Sequence, residues 1–123
     1  MLAMRWLLWI TLSMLLLTPL VRLFLESLLR VQKLTGKSCK FHNVDLLDKS
    51  SLSAVFARYP GISCVIHFAA LKAVGESFNE VLKYYGNNIT GACNLLEVMT
   101  EAKVFRIVFS SSATVYGVPE YLP

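Results

Sequence analysis

The sequence contains no Cys-x-x-Cys pair, and its three cysteines, Cys39, Cys64 and Cys93, are widely spaced. That spacing argues against a structural zinc site. Cys64 and Cys93 sit among apolar neighbours and read as buried structural thiols rather than a disulfide framework. His42 and His67 stand apart from each other and from any ligand cluster, so no metal is expected. Positive charge is thin as well: the net charge is +4, the pI is about 9.1, and Lys and Arg are scattered rather than blocked. A nucleic-acid footprint needs clustered Lys and Arg with stacking aromatics nearby, so no nucleic-acid partner is expected. Glycine is sparse too. The six glycines (Gly36, Gly61, Gly75, Gly86, Gly91 and Gly117) form neither Gly-x-Gly-x-x-Gly nor Gly-x-x-Gly-x-x-Gly. Such a turn would bring backbone N–H groups to a dinucleotide pyrophosphate. No tyrosine is followed four residues on by lysine: Tyr84 meets Asn88 and Tyr116 meets Glu120.

What the chain has in excess is apolar residues, 55% of 123, a length that holds one domain at most. The excess lies in residues 1–25, MLAMRWLLWITLSMLLLTPLVRLFL, which form a leader distinct in composition from residues 26–123. Trp6 to Val21 carries no charge over sixteen residues, between Arg5 and Arg22. A spanning helix needs about twenty residues, although flanking arginines can snorkel. Arg5 ahead of the apolar run also resembles a secretory signal, but Thr18-Pro19-Leu20 makes a poor cleavage site. Signal or anchor, short span, and aberrant start all stay open, and a genuine leader would make residues 1–25 the place of any membrane contact. The sequon Asn88-Ile89-Thr90 lies in an expected helix and reads as accidental.

Beyond the leader, helix and strand signals alternate. Leu25, Leu28, Leu29 and Leu34 fall near helical spacing, with Gly36 as a stop. CKFHNVD reads as a short strand ending at Asp45. Ser50 or Ser51 caps a helix carrying Leu52, Val55, Phe56 and Tyr59, ended by Pro60-Gly61. SCVIHFAA reads as a strand buried on both faces. A long helix is expected from about Asn79 to Glu101, with Val81, Tyr84, Tyr85, Ile89, Ala92, Leu95, Leu96 and Met99 as its apolar positions. FRIVFS then reads as another buried strand. This order points to an α/β fold with βαβ units and a parallel sheet. Ligands bind beyond the carboxyl ends of such strands. Here those ends read Asp45-Leu46, FAALKAVGES and SSSATVYG, and the last two are rich in small and polar groups. For an anonymous serine run, capping or turning is the simpler role of Ser110, Ser111 and Ser112.

The segments VIHFAALKAVGES, YYGNNITGACNLLEVM and FRIVFSSSATVYG resemble UDP-glucose 4-epimerases, within the extended short-chain dehydrogenase/reductase group. ESLLRVQKLTGK and FHNVDLLDKSSL share the likeness less distinctively. It runs from about Leu25 to Pro123. The resemblance implies a Rossmann-type, doubly wound parallel sheet, here its third to fifth strands with their helices, and the apolar run ahead of it reads as an N-terminal helix outside the likeness. It implies NAD as cofactor, UDP-galactose and UDP-glucose as substrates, a homodimer in the intact family and a cytoplasmic location. The implied chemistry passes hydride from the sugar C4 to NAD and returns it to the opposite face of a 4-keto sugar. A tyrosine beside a lysine serves as base. By the same resemblance Ser112 is the hydroxyl that hydrogen-bonds the sugar oxygen, a role suited to a group that both donates and accepts. Ala113 and Thr114 lie along the substrate. Asp45 and Leu46 contact the adenine end of NAD, Phe68 lines its path, Lys72 supplies charge near the ribose and nicotinamide, and Asn87 lies beside the cofactor.

Against that pattern the chain lacks the glycine-rich turn, the acidic residue that holds the adenosine ribose, the Tyr-x-x-x-Lys pair and the substrate domain. The doubly wound strand order is 3-2-1-4-5-6, so the absence of the first two strands opens a gap between the third and fourth. Unpaired N–H and C=O groups there are costly. The chain is therefore expected to be marginally stable or to aggregate, and to be inactive alone. A catalytically dead membrane-anchored or dimer-interfering module is the alternative.

Overall fold

A computed structural model of the chain describes residues 18–118 and 121, with side chains from residue 26 onward except that of Ala113. Residues 1–17 of the leader lie outside the described set, as do Pro119, Glu120, Leu122 and Pro123.

Helix α1 spans Thr18–Thr35 and ends as the sequence predicts: Gly36 takes the left-handed φ of +67°, and its N–H donates to the Gln32 carbonyl at 2.9 Å. Leu29 and Leu34 are exposed. Among the described residues no other helix or strand packs on α1, and no helix is long and apolar enough to cross a membrane.

Helix α2 spans Lys49–Arg58 and buries Leu52, Val55 and Phe56, spaced three and four apart on one face. Its cap is Asp48, not the expected Ser50 or Ser51. Asp48 Oδ1 accepts from the Ser51 N–H at 3.1 Å and from Ser50 Oγ at 2.7 Å, and Oδ2 accepts from Ser51 Oγ at 2.6 Å. A carboxylate offers more acceptor sites than a hydroxyl and suits the positive end of the helix. The serines thus feed the cap instead of forming it, and the hydrogen bonds from Ser51 hold the Asp48 carboxyl down to about 2.

Strand β1, Val65–His67, pairs in parallel with β2, Ile107–Phe109, in the register Val65↔Ile107, Ile66↔Val108 and His67↔Phe109. A parallel pair needs a crossover, and helices supply it. They are α3 (Val74–Asn79), α4 (Val81–Tyr84) and α5 (Gly91–Glu101), with a π-helical turn over Tyr85–Thr90 joining the last two. The expected single helix from Asn79 is therefore interrupted at Glu80 and again by the π turn. CKFHNVD does not form the expected strand. A strand exists through its ladder partner, and among the described residues no strand pairs with this segment.

The core lies between α2, α5 and β1. Leu46, Leu52, Phe56, Val65, Leu95, Val98, Met99 and Val104 form it, with Val44, Ile62 and Ala69 packed against them. Lys49 bridges Glu97 at 2.8 Å and Glu101 at 3.0 Å across α2 and α5. The pairs are exposed and screened, so their contribution is small. Strand β2 departs from the expectation of burial on both faces: Ile107, Val108 and Phe109 are 37%, 54% and 59% exposed.

His67 is the one buried polar residue of this core among the described residues, and its ring lies 5.2 Å from that of Phe109. Burial lowers its pKa below 6.5, so the folded chain binds fewer protons than the unfolded one once the pH drops under that value. The stability held by neutral His67 is complete above pH 6.5 and is expected to fall as pH drops from 6.5 towards the lowered pKa. Urea midpoints compared between about pH 7.5 and about pH 5.5 check this. His67→Phe should flatten that slope, and an unchanged slope would remove His67 as its source. The Asp48 contribution is lost only lower, between 3.8 and about 2, so the two windows are separable.

Candidate functional site

The sheet ladder continues one step past β2: the Ser110 N–H donates to the His67 carbonyl at 3.0 Å. The chain that leaves β1 at Phe68 and the chain that leaves β2 at Ser110 therefore start side by side at the carboxyl end of the sheet. This is the edge where parallel α/β sheets take their ligands.

The loop after β1 is held by the helix that follows it. The Asn88 side chain uses both halves of its amide on Leu71, accepting from the Leu71 N–H at 2.8 Å and donating to the Leu71 carbonyl at 2.9 Å. Two residues on, the Tyr84 hydroxyl lies 2.9 Å from the Ala73 carbonyl and 2.9 Å from Glu76 Oε2. Lys83 Nζ donates to Glu76 Oε1 at 2.5 Å. These partners, Lys83 first and Tyr84 second, lower the Glu76 pKa. Burial first, then the Glu76 carboxylate, raises that of Tyr84. The tethered backbone carries Phe68, 67% exposed, and Lys72, exposed between Leu71 and Ala73.

The loop at Asp45 is fixed from α5, six residues beyond Asn88. Asn94 Nδ2 donates to the Leu46 carbonyl at 2.9 Å, and the Leu47 N–H donates to Asp45 Oδ1 at 2.9 Å. Gly91 allows the approach, since a Cβ there would stand 3.1 Å from Leu46 Cβ. The Leu46 side chain belongs to the core. Any cofactor contact at this loop therefore falls to the half-buried Asp45 and to main chain.

Asn87 is half-buried, and its Nδ2 donates to Asn88 Oδ1 at 2.9 Å. Ser112 caps the 3-10 turn Ala113–Tyr116: its Oγ accepts from the Thr114 N–H at 3.3 Å and lies 2.6 Å from Thr114 Oγ1. The simple capping role is thus real, and the hydroxyl pair stays exposed at the sheet end. Ala113 is described by its backbone alone. Phe68 and Lys72 thus follow β1, Ser112 and Thr114 follow β2, Asn87 adjoins the loop after β1 through Asn88, and the loop of Asp45 and Leu46 is tied to α5.

In the sequence Tyr84 reads only as an apolar helix position and Asn88 only as part of an accidental sequon, and Asn94 is not marked. A signal existed: Tyr84, Asn88, Gly91, Leu95 and Val98 follow one another at steps of three and four, one stripe of a helix whose later members are buried. Asparagine is a poor helix former whose amide competes for backbone groups, so its place on an inward stripe marks a polar contact.

The sequence profile of the family described as GDP-mannose 4,6 dehydratase matches residues 22–123. The chain belongs to this family. Human UDP-glucose 4-epimerase is 55% identical over 98 residues, 80% of this chain and 28% of the relative. The Bacillus subtilis UDP-glucose 4-epimerase is 56% identical over 98 residues, 80% of this chain and 29% of that protein. The chain therefore spans less than a third of the length of these relatives. In structure it is similar to UDP-glucose 4-epimerase from Bifidobacterium longum, solved in complex with NAD+ and UDP, with a TM-score of 0.71 and 48% identity over 80% of this chain and 29% of that one. The Stenotrophomonas maltophila UDP-glucose-4-epimerase, with bound NAD and formylated UDP-arabinopyranose, gives a TM-score of 0.73 at 37% identity over 94% of this chain and 32% of that one. The family likeness thus covers both loops at the sheet end.

Proposed function

We propose that this chain carries part of the NAD and UDP-sugar site of a UDP-glucose 4-epimerase and that by itself it is inactive. The observation that supports the reading is the placement of Lys72, Asn87 and Ser112 at the carboxyl end of one parallel strand pair, in segments similar to epimerases solved with NAD. On this reading CKFHNVD, β1 and β2 correspond to the third, fourth and fifth strands of the doubly wound sheet.

NAD, when bound, takes and returns the hydride at the sugar C4. The residues present fit its ends and not its middle. Asp45 offers a half-buried carboxylate for the adenosine side. Lys72 offers a cation and three N–H donors for the ribose and nicotinamide side. Phe68 offers an exposed ring along the path, and Asn87 an amide beside it. The pyrophosphate needs converging backbone N–H groups, and this sequence has no glycine-rich turn to give them. Ser112, with Thr114 beside it, would hold the sugar hydroxyl and steady the oxyanion as its proton leaves. The tyrosine–lysine pair that receives that proton in the family has no counterpart among these residues.

The 123-residue chain is expected to bind NAD no more tightly than about 1 mM and to convert no UDP-galactose. Equilibrium dialysis and a coupled UDP-glucose assay check both. NAD retained through gel filtration, or turnover, would sink the inactive-fragment reading. No saturable binding of either nucleotide would sink the site itself.

A further inference from the structure

Lys72 has a tether on each side and none of its own. The residue before it, Leu71, has its N–H and its carbonyl both held by the Asn88 amide, and the residue after it, Ala73, has its carbonyl 2.9 Å from the Tyr84 hydroxyl, whose one proton it shares with the Glu76 carboxylate. Both holders come from one short stretch of helix and stand four residues apart. Tyr84 is fixed in turn by Glu76, which Lys83 holds from the other side. The Asn88–Leu71 contacts are half-buried, which limits competition from water. Two adjacent anchors restrict the φ and ψ of the residue between them. That leaves the Lys72 stem as the main freedom of its ammonium. A cation that must meet a particular oxygen gains from such fixing, because ordering a loop at the moment of binding subtracts from affinity.

We propose that Asn88 and Tyr84 are positioning residues, whose hydrogen bonds to Leu71 and Ala73 hold the Lys72 backbone in place at the carboxyl end of β1. The proposal rests on the reading of Lys72 as the cation on the cofactor side, and its test separates the two. The polar groups of both residues have partners within the chain: Asn88 spends its amide on Leu71 and Asn87, and Tyr84 shares its hydroxyl proton between Ala73 and Glu76.

Hydrogen exchange of the full chain, read by mass spectrometry at micromolar concentration, follows the segment 68–73 against the core segments 52–58 and 95–101. Asn88→Leu removes both halves of the clamp at similar volume. It should speed exchange at Leu71 on the order of tenfold while the core segments hold their rates. Asn88→Asp keeps the acceptor for the Leu71 N–H and loses the donor, so its effect at Leu71 should be smaller. Tyr84→Phe removes only the hydroxyl and should loosen 72–73. Millimolar NAD should slow exchange over 68–73 in the native chain, less so in Asn88→Leu, and partly again in Asn88→Asp.

Equal exchange over 68–73 in all four chains would overturn the proposal. So would a rise in Asn88→Leu that merely tracks the core segments with no graded recovery in Asn88→Asp, because that is loss of stability and not of position. If Asn88→Leu fails to fold, Asn88→Asp and Tyr84→Phe decide alone by the same local comparison. If the variants loosen 68–73 as expected while NAD slows nothing in the native chain, the clamp stands and the cofactor reading of Lys72 falls.

Discussion

Leu52→Ala is expected to unfold the chain at room temperature. Leu52 is fully buried, at 0% exposure, where α2 meets the core built with α5 and β1. Removing a buried leucine down to Cβ costs about 2–5 kcal/mol, and the spread depends on how far neighbours relax into the space. Here they relax little, because the Leu46 loop is held by Asn94 and rests on Gly91. Small domains have only about 0.05–0.15 kcal/mol per residue in hand, and among the described residues no other helix or strand packs on α1. The single mutation therefore takes most of what there is. Loss of the far-UV helical signal and a collapsed urea transition check it. Leu34→Ala, at a position 81% exposed, is the control and should move the midpoint by less than about 0.5 kcal/mol. Equal behaviour of the two variants would show that the core drawn here is not what holds the fold.

The other large effect is on association. Strand β2 presents Val108 at 54% exposure, and Phe105 just before it is 76% exposed. An apolar hollow of about 210 Å³ opens on the other face of the sheet, lined by His67, Ala92, Leu95, Leu96, Ile107 and Phe109. Strand, hollow and Phe105 adjoin, and an edge with exposed apolar side chains is a template for pairing with further chains. The native chain is expected to self-associate at tens of micromolar. The double variant Phe105→Lys, Val108→Lys should sediment as monomer, since charges on an exposed strand face block stacking while leaving the eight-residue core cluster untouched. Sedimentation velocity reads both species. A native chain that stays monomeric, or a double variant that associates equally, would place the sticky surface elsewhere.

Much of this architecture is written in residue pattern. The short apolar runs around Val65 and Ile107 are strands, the Leu52–Val55–Phe56 spacing is a helix face, and Gly36 stops α1 as its freedom at positive φ allows. What the pattern hides is whatever depends on a partner. CKFHNVD has strand composition and, among the described residues, no ladder neighbour, so composition alone misleads there. Ser50 and Ser51 look like caps until Asp48, one position earlier, takes both their hydroxyls. In the site, the family likeness marked Lys72, Asn87 and Ser112. The residues that fix the loop, Asn88 and Tyr84, act across 17 and 11 positions in sequence. No local window joins those pairs, which is why they emerge only in three dimensions.

The π turn at Tyr85–Thr90 bears on how this helix tolerates deletion. A π turn holds one residue more than the α-helical path requires. Gly86 sits inside it with nothing within 4 Å of where its Cβ would be, so its removal would meet no steric objection. A chain shorter by Gly86 could run as unbroken α-helix with the turns on either side keeping their faces, because the residue removed is the one the wider turn absorbs. The hydroxyl near Ala73 and the amide on Leu71 would then still face the same loop. The wide turn thus takes up an extra residue in mid-helix without turning the gripping side chains away from the loop.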